Sequence, residues 1–383
     1  MQDIRYHSVQ VLNRKDAGYT DFDNIDFQIG GTVGRKLVGG SIRILGEITV
    51  PGAADPTTEV ISYDGLTGSH AWFSSIVTSF SSTGQVENLN FYPHMIAAKS
   101  RAQLSNESLF QSQYVCENRC PDGIVSDLLL KGTTYDDTTN YDATKTKPLD
   151  FAIRPDFCLN NFVPGSDSAL AFAKSGDINI SLIVSRSVSV LYGTAQTGSG
   201  AIGVDRNILL KNLRLIYTTI ADDGKYPPQY QMFIKSSLKQ SLQSSYASIS
   251  TLAPIIGDRF WMVFIPQSQD SDARYNGLAC VRPPNVSRVD YLWSDSFSAQ
   301  YTYTLLNEEE ILTAFVRSIN NNVEDNQCAL NVLASNGDGY GMGLNFGTFV
   351  DLSKNKISIN IQSGISSSNP MTAYMFFQGV VSV

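Results

Sequence analysis

Apolar and polar residues alternate with period two in six separate stretches, three in each half of the chain. The first half carries them in Ser41–Val50, Ile178–Tyr192 and Ile208–Ile220, the second in Arg259–Ile265, Lys356–Ser363 and Tyr374–Val383. β-Branched and aromatic residues on such a period form strands buried on one face. Long polar loops and a helix-like insertion accompany the strands in both halves. Two strand-rich halves with little catalytic equipment point to a protein that builds rather than converts.

At 383 residues the chain is long enough for two domains with real cores. Only 17% of residues are charged, and Ser, Thr, Asn and Gln take their place. Surfaces of that kind suit interfaces, whose centres are poor in charge; an all-β protein with Ser/Thr-rich turns would show the same bias. The net charge of −8 argues against a nucleic-acid-binding chain, and Arg14–Lys15 and Arg35–Lys36 are spots rather than patches. No run approaches the roughly 20 apolar residues that cross a bilayer. Residues 1–16 lack a hydrophobic core, so the expectation is synthesis in, and initial residence in, the cytosol of the producing cell.

Along the chain, residues 1–28 read as a polar arm. A strand over Ser41–Val50 follows a glycine-rich lead. Ser69–Phe80 reads as a short helix capped by Ser69, with Trp72, Phe73, Ile76, Val77 and Phe80 at helical spacing, and Pro93–Gln113 as a second helix. Gly132–Lys147 and Gly193–Gly203 read as loops. Asp222–Gly224 with Pro227 and Pro228 is the strongest punctuation and marks a boundary between domains 29–224 and 225–383. In the second half Tyr230–Gln243 alternates, and Arg259–Pro266 is almost continuously apolar, as a strand covered on both faces requires. Asn307–Asn320 is the clearest helix. Asn307 caps it, Glu308–Glu310 favour its positive end, and Ile311, Leu312, Phe315, Val316 and Ile319 form its stripe.

No catalytic, cofactor-binding or metal-ligating residue is expected. His70 follows Ser69, but neighbours on a helix do not face each other, so a capping serine beside a partly exposed histidine is the plainer reading. The glycines at 337, 339, 341 and 343 lack phosphate-cradle spacing and lead into a strand. The five cysteines include Cys116 and Cys120, which could share a helical face, yet a zinc site needs two further ligands and the chain has only three histidines. Asp270, Asp272 and Asp338 lack the spacing of a calcium loop. Trp72, Trp261 and Trp293 could stack on a sugar, with core packing as the default.

The order of elements resembles that of the double jelly-roll major capsid proteins of tailless icosahedral viruses, the tectivirus, corticovirus and adenovirus-hexon lineage. Ser41–Val50, Val60–Tyr63 and Ser69–Phe80 resemble early strands and a helix of the first jelly roll. Ala171–Leu182 through Tyr192, and Leu210–Tyr217, resemble its later strands, while Gly343–Phe346, Lys356–Ile361 and Thr372–Phe377 resemble the closing strands of the second. The likeness is one of pattern, runs from about residue 28 to the end, and treats the helix at Asn307–Asn320 as the mirror of Ser69–Phe80. It implies an all-β fold with a few short helices in two tandem eight-stranded jelly rolls. It also implies a non-enzymatic structural protein whose homotrimers, pseudo-hexagonal in outline, tile a virion shell. Its partners would be neighbouring capsomers, minor capsid or penton proteins and, in lipid-containing relatives, an internal membrane, without specific nucleic-acid binding or cofactors. The alternatives are a carbohydrate-binding or depolymerising β-protein such as a phage spike, or a minor capsid or vertex protein.

Overall fold

In the computed structural model, residues 3–50, 59–103, 117–119, 149–165, 167–195, 201–202, 207–227, 229–270, 272–294, 300–319 and 339–383 are described. The second half has the simpler topology. One antiparallel sheet runs β14 (Gln231–Leu242), β21 (Met371–Ser382), β16 (Ile256–Pro266), β19 (Gly341–Asp351); the other runs β15 (Tyr246–Thr251), β20 (Ile357–Gln362), β17 (Arg288–Ser294), β18 (Gln300–Leu305). Numbered by rank within this half, the orders are 1-8-3-6 and 2-7-4-5. That is the doubly Greek-keyed jelly roll, two sheets packed face to face.

The first half repeats it with interruptions. β2 (Asn24–Ile29), β10 (Ile178–Val184), β6 (Phe73–Phe80) and β7 (Gly84–Asn90) form the 2-7-4-5 sheet. In the facing sheet β13 (Leu209–Ala221) carries β1 (Arg5–Gln10) on one edge. Its other edge pairs with β4 (Arg43–Thr49) and then β3 (Arg35–Val38), two pieces of one broken third strand. β8 (Leu149–Ile153) and β9 (Ala169–Ala171) flank those pieces as a broken sixth strand. β5 (Glu59–Tyr63), β11 (Leu191–Ala195) and β12 (Ala201–Ile202) make a small extra sheet.

Several expectations need correction. The arm expected over residues 1–28 contains β1 and most of β2, the first two strands of this jelly roll; Ile25, Phe27 and Ile29 of β2 are fully buried on alternate positions. The helix expected over Ser69–Phe80 is a 3-10 turn, Gly68–Trp72, followed by β6. Its apolar residues satisfy a helical stripe, but Ile76, Thr78 and Phe80 also alternate inward, and pairing with β10 and β7 selects the strand. Ser69 makes no cap bond there; its hydroxyl accepts from Asn118 Nδ2 at 2.8 Å. The run from Ile178 to Tyr192 breaks at the turn Ser187–Val190. The loop expected at Gly193–Gly203 has strand at both described ends, β11 pairing with β12.

The two longer helices described are α1 (Tyr92–Gln103), at the start of the expected Pro93–Gln113, and α2 (Glu308–Ile319), matching the expected Asn307–Asn320. Each follows the fifth strand of its jelly roll, so the mirror of α2 is α1 and not residues 69–80. Phe260–Ile265 of β16 are all fully buried, as their unbroken apolar run requires. Phe260 packs edge-on to Tyr291 of the facing sheet, while the Lys99 ammonium of α1 sits over the Trp261 ring, 6.0 Å from its centre.

Candidate assembly surfaces

None of the constellations weighed for chemistry is assembled among the described residues. His70 is almost completely buried rather than partly exposed, with Nδ1 2.7 Å from the Tyr92 hydroxyl and Nε2 3.7 Å from Glu117. Burial lowers its pKa, and neither contact leads to Ser69. Asp270 accepts from Lys239 Nζ and the Tyr374 hydroxyl, each at 2.7 Å, and Asp272 accepts from Arg274 Nη2 at 2.6 Å. Asp338, Gly337, Cys116, Cys120 and the loop Gly132–Lys147 lie outside the described residues, among which no group of three potential metal ligands occurs. Cys158 and Cys280 are buried. Gly341 and Gly343 serve packing. A Cβ at Gly341 would overlap the Phe315 ring, and one at Gly343 would overlap Ser318 Oγ, so their lack of side chains lets α2 press on β19. Trp72 and Trp261 are core residues. Trp293 stacks on Tyr301, and Trp293 and Tyr303 line a recess of about 620 Å³ beside α2.

The surface with the richest chemistry joins the two halves. β7 and α1 of the first half meet β14 and β21 of the second. Glu87 on β7 accepts from Lys235 N of β14 at 2.8 Å and from Cys158 N at 2.7 Å, and the Ser237 hydroxyl accepts from Asn90 N at 3.1 Å. Residues 161–163 extend the cover along the same β14 edge: Asn161 O accepts from Phe233 N, and Val163 N donates to Gln231 O. Asp156 draws in Lys99 of α1 at 2.6 Å and Lys235 at 2.8 Å. Burial alone would raise the Asp156 carboxyl, but the Lys235 and Lys99 ammoniums outweigh it and hold its pKa far below the usual range. Glu87 shifts the other way, raised by burial.

A second cluster ties Asp64, just beyond β5, to Arg101 of α1 at 2.5 Å and to Asn276 of the second half at 2.8 Å. Burial opposes the Asp64 charge, yet Arg101 lowers its pKa overall. A third stacks His94 of α1 on Tyr374 of β21 at 3.9 Å, where burial lowers the imidazole pKa to about 4. Arg35 and Lys36, expected as a basic spot, are buried at the start of β3 and bound to Asp3 and Asp223 at 2.6 and 2.7 Å. None of these partnerships is legible as a site in the sequence. The available signal is an isolated charge in an apolar context, such as Lys235 after Met232, Phe233 and Ile234.

No family model and no curated protein matches the chain. Solved structures do. A chain of the quasi-atomic PBCV-1 virus capsid aligns over 100% of this chain and 95% of its own, at TM-score 0.59 and 8% identity. The fold is the double jelly roll. PBCV-1 VP54 fitted into a reconstruction of the virophage Sputnik gives 0.57 and 8%, covering 100% of this chain and 95% of that one. The Sputnik virophage structure gives 0.55 and 11% over 99% of this chain and 85% of that one. At these identities the double jelly roll is what the chains share.

Proposed function

We propose that the chain is a major capsid protein: a structural subunit, without catalysis, whose homotrimers tile an icosahedral shell beside minor capsid or penton proteins. The observation that carries this reading is the duplicated jelly roll itself, aligned over its whole length with capsid structures. Two jelly rolls per chain give a trimer a ring of similar units, suited to sixfold-coordinated positions in a shell. The seam supports it too: the buried Lys235–Asp156 ion pair and the Asn276–Asp64 hydrogen bond tie one half to the other and make the subunit a rigid tile. The unit boundary belongs at Gly224, between β13 and β14, with residues 5–29 inside the first unit. Synthesis in the host cytoplasm and residence in the virion follow from this role.

Light scattering with negative-stain imaging tests it. Three chains of 41.9 kDa, roughly 126 kDa, with hexagonal outline are expected. The Trp293–Tyr303 recess favours carbohydrate binding as a second reading. A monomer retained on a glycan column would overturn the capsid role in favour of that second reading.

A further inference from the structure

A cavity of about 300 Å³ opens beside the Asp156 cluster, between the 3-10 turn Gly68–Trp72, helix α1 and the stretch that follows β8. Its walls are tied to one another. Ser69 N donates to Glu117 O at 2.7 Å and the Tyr63 hydroxyl to Asn118 O at 2.9 Å, which fixes residues 117–119 on the turn. Among the described lining residues, Lys99, Arg119 and Arg154 are cations and Glu117 and Asp156 are carboxylates, three against two. Both carboxylates are engaged. Asp156 accepts from Lys99, Lys235 and Asn161, and Glu117 faces Arg119 at 3.3 Å. What is left over is positive charge and hydrogen-bond donors.

The contacts of His70 decide where it carries its proton. Asp156 N donates to the Tyr92 oxygen at 3.1 Å, so the Tyr92 O–H is left for His70 Nδ1, 2.7 Å away. A neutral imidazole that accepts at Nδ1 bears its hydrogen on Nε2, and burial, which lowers the His70 pKa, keeps the ring neutral. This Nε2–H, on a residue only 2% exposed, makes no hydrogen bond, and neither does Arg119 Nε. Buried donors in that position cost free energy unless an acceptor reaches them. The exposed Arg154 guanidinium gives one N–H to Asn160 O at 3.2 Å and has no carboxylate partner among the described residues.

We infer that the cavity binds a small oxyanion, the phosphate or carboxylate group of a compact ligand, with His70 Nε2, Arg119 and the Arg154 fork as its donors. A guanidinium fork meets such oxygens two at a time. Bound there, the anion balances the surplus charge and joins α1, the turn and residues 117–119 to Arg154. Such a site needs no second copy of the chain and holds whatever the chain assembles into.

Inorganic phosphate titrated into the full chain, against chloride at equal ionic strength, tests this. Tm should rise and then level off as the site fills, with a matching isotherm by calorimetry. Phosphate also stabilises proteins by exclusion from their surface, but that effect does not saturate and ignores single side chains. Arg154→Gln, at an exposed position, should weaken phosphate binding at least about tenfold, whereas Arg14→Gln, also exposed, should leave it unchanged. Hydrogen exchange on the wild-type chain gives a second readout that needs no variant. Phosphate should slow the amides of Gly68–Trp72 and α1 and leave those of β15 and β20 alone. Acetate titrated in the same way separates the ligand classes: phosphate alone marks a phosphoryl site, and acetate acting too, or alone, marks a carboxylate site. No rise with either anion overturns the site, as does a rise that never saturates, survives Arg154→Gln or leaves the turn and α1 unprotected.

Discussion

Helices α1 and α2 hold the same rank in two copies of one topology, yet they live in different surroundings. α2 keeps one apolar face, with Ile311, Phe315 and Val316 buried, and turns Glu309, Glu310 and Arg317 to solvent. α1 is buried nearly all round: Met95, Ile96, Ala97 and Ala98 are covered, and so are His94, Ser100 and Arg101. The difference lies in the neighbour. α2 lies on β16, β18 and β19 of its own jelly roll and touches α1 at the seam, whereas α1 is enclosed between the two halves: His94 stacks on Tyr374 and Lys99 sits over Trp261 across the seam, while Arg101 pairs with Asp64 of its own half. The helix without an apolar stripe is the more enclosed of the two, and the amphipathic one keeps a solvent face.

The sharpest way to break this comparison is to remove the equivalent charge from each helix. Arg101→Met leaves Asp64 buried with Asn276 and Thr67 but without the guanidinium beside it, and should cost about 3–5 kcal/mol in denaturant unfolding. Arg317→Met on α2 should stay within about 0.5 kcal/mol. Equal losses would mean that the seam is no more committed than the surface. The next effect in size is pH dependence at His94, which faces Asp270 and Lys239 as well as Tyr374. Its unfolded imidazole titrates near 6.5 and its folded one at about 4, so the unfolded chain binds more protons in that window. Stability is thus fully present above pH 6.5 and falls as pH drops toward 4, by roughly 3 kcal/mol from this group. His94→Phe keeps the aromatic stack and should remove that share of the slope; urea titrations at neutral and mildly acidic pH read it directly.

What could be read beforehand follows from where the information is stored. Period-two alternation identifies β4, β13 and β20, because each buries one face along its length, and the unbroken apolar run of β16 declares a double cover that β21 shares over Met371–Phe377. The composition of α2 announces its helix and its cap. β1 exposes most of its residues and is defined by its partner β13, whereas β2 alternates like β20 over six residues, so Asn24–Ile29 carries a strand signal of its own. Residues 69–80 fit two periods at once, and only the sheet decides between them. The seam is illegible for a stronger reason. Glu87, Asp156, Lys235, Asp64 and Arg101 form no motif along the chain, and folding alone brings them together.

Two smaller effects sharpen the contrast on the α2 side, where stability is built locally. Gly341→Ala drives a methyl into the Phe315 ring and should cost about 1–3 kcal/mol, read as a lowered Tm, because the helix must lift from β19. Asn307→Ala is the smallest. The Asn307 carboxamide oxygen accepts from Glu310 N at 2.9 Å, and the Glu310 carboxylate reaches back to accept from Leu306 N at 3.1 Å, a reciprocal cap of the exposed helix start. Losing it should cost about 1 kcal/mol. Urea unfolding of Asn307→Ala beside wild type reads this loss, and an unchanged midpoint would mean that the reciprocal cap adds nothing to the exposed helix start.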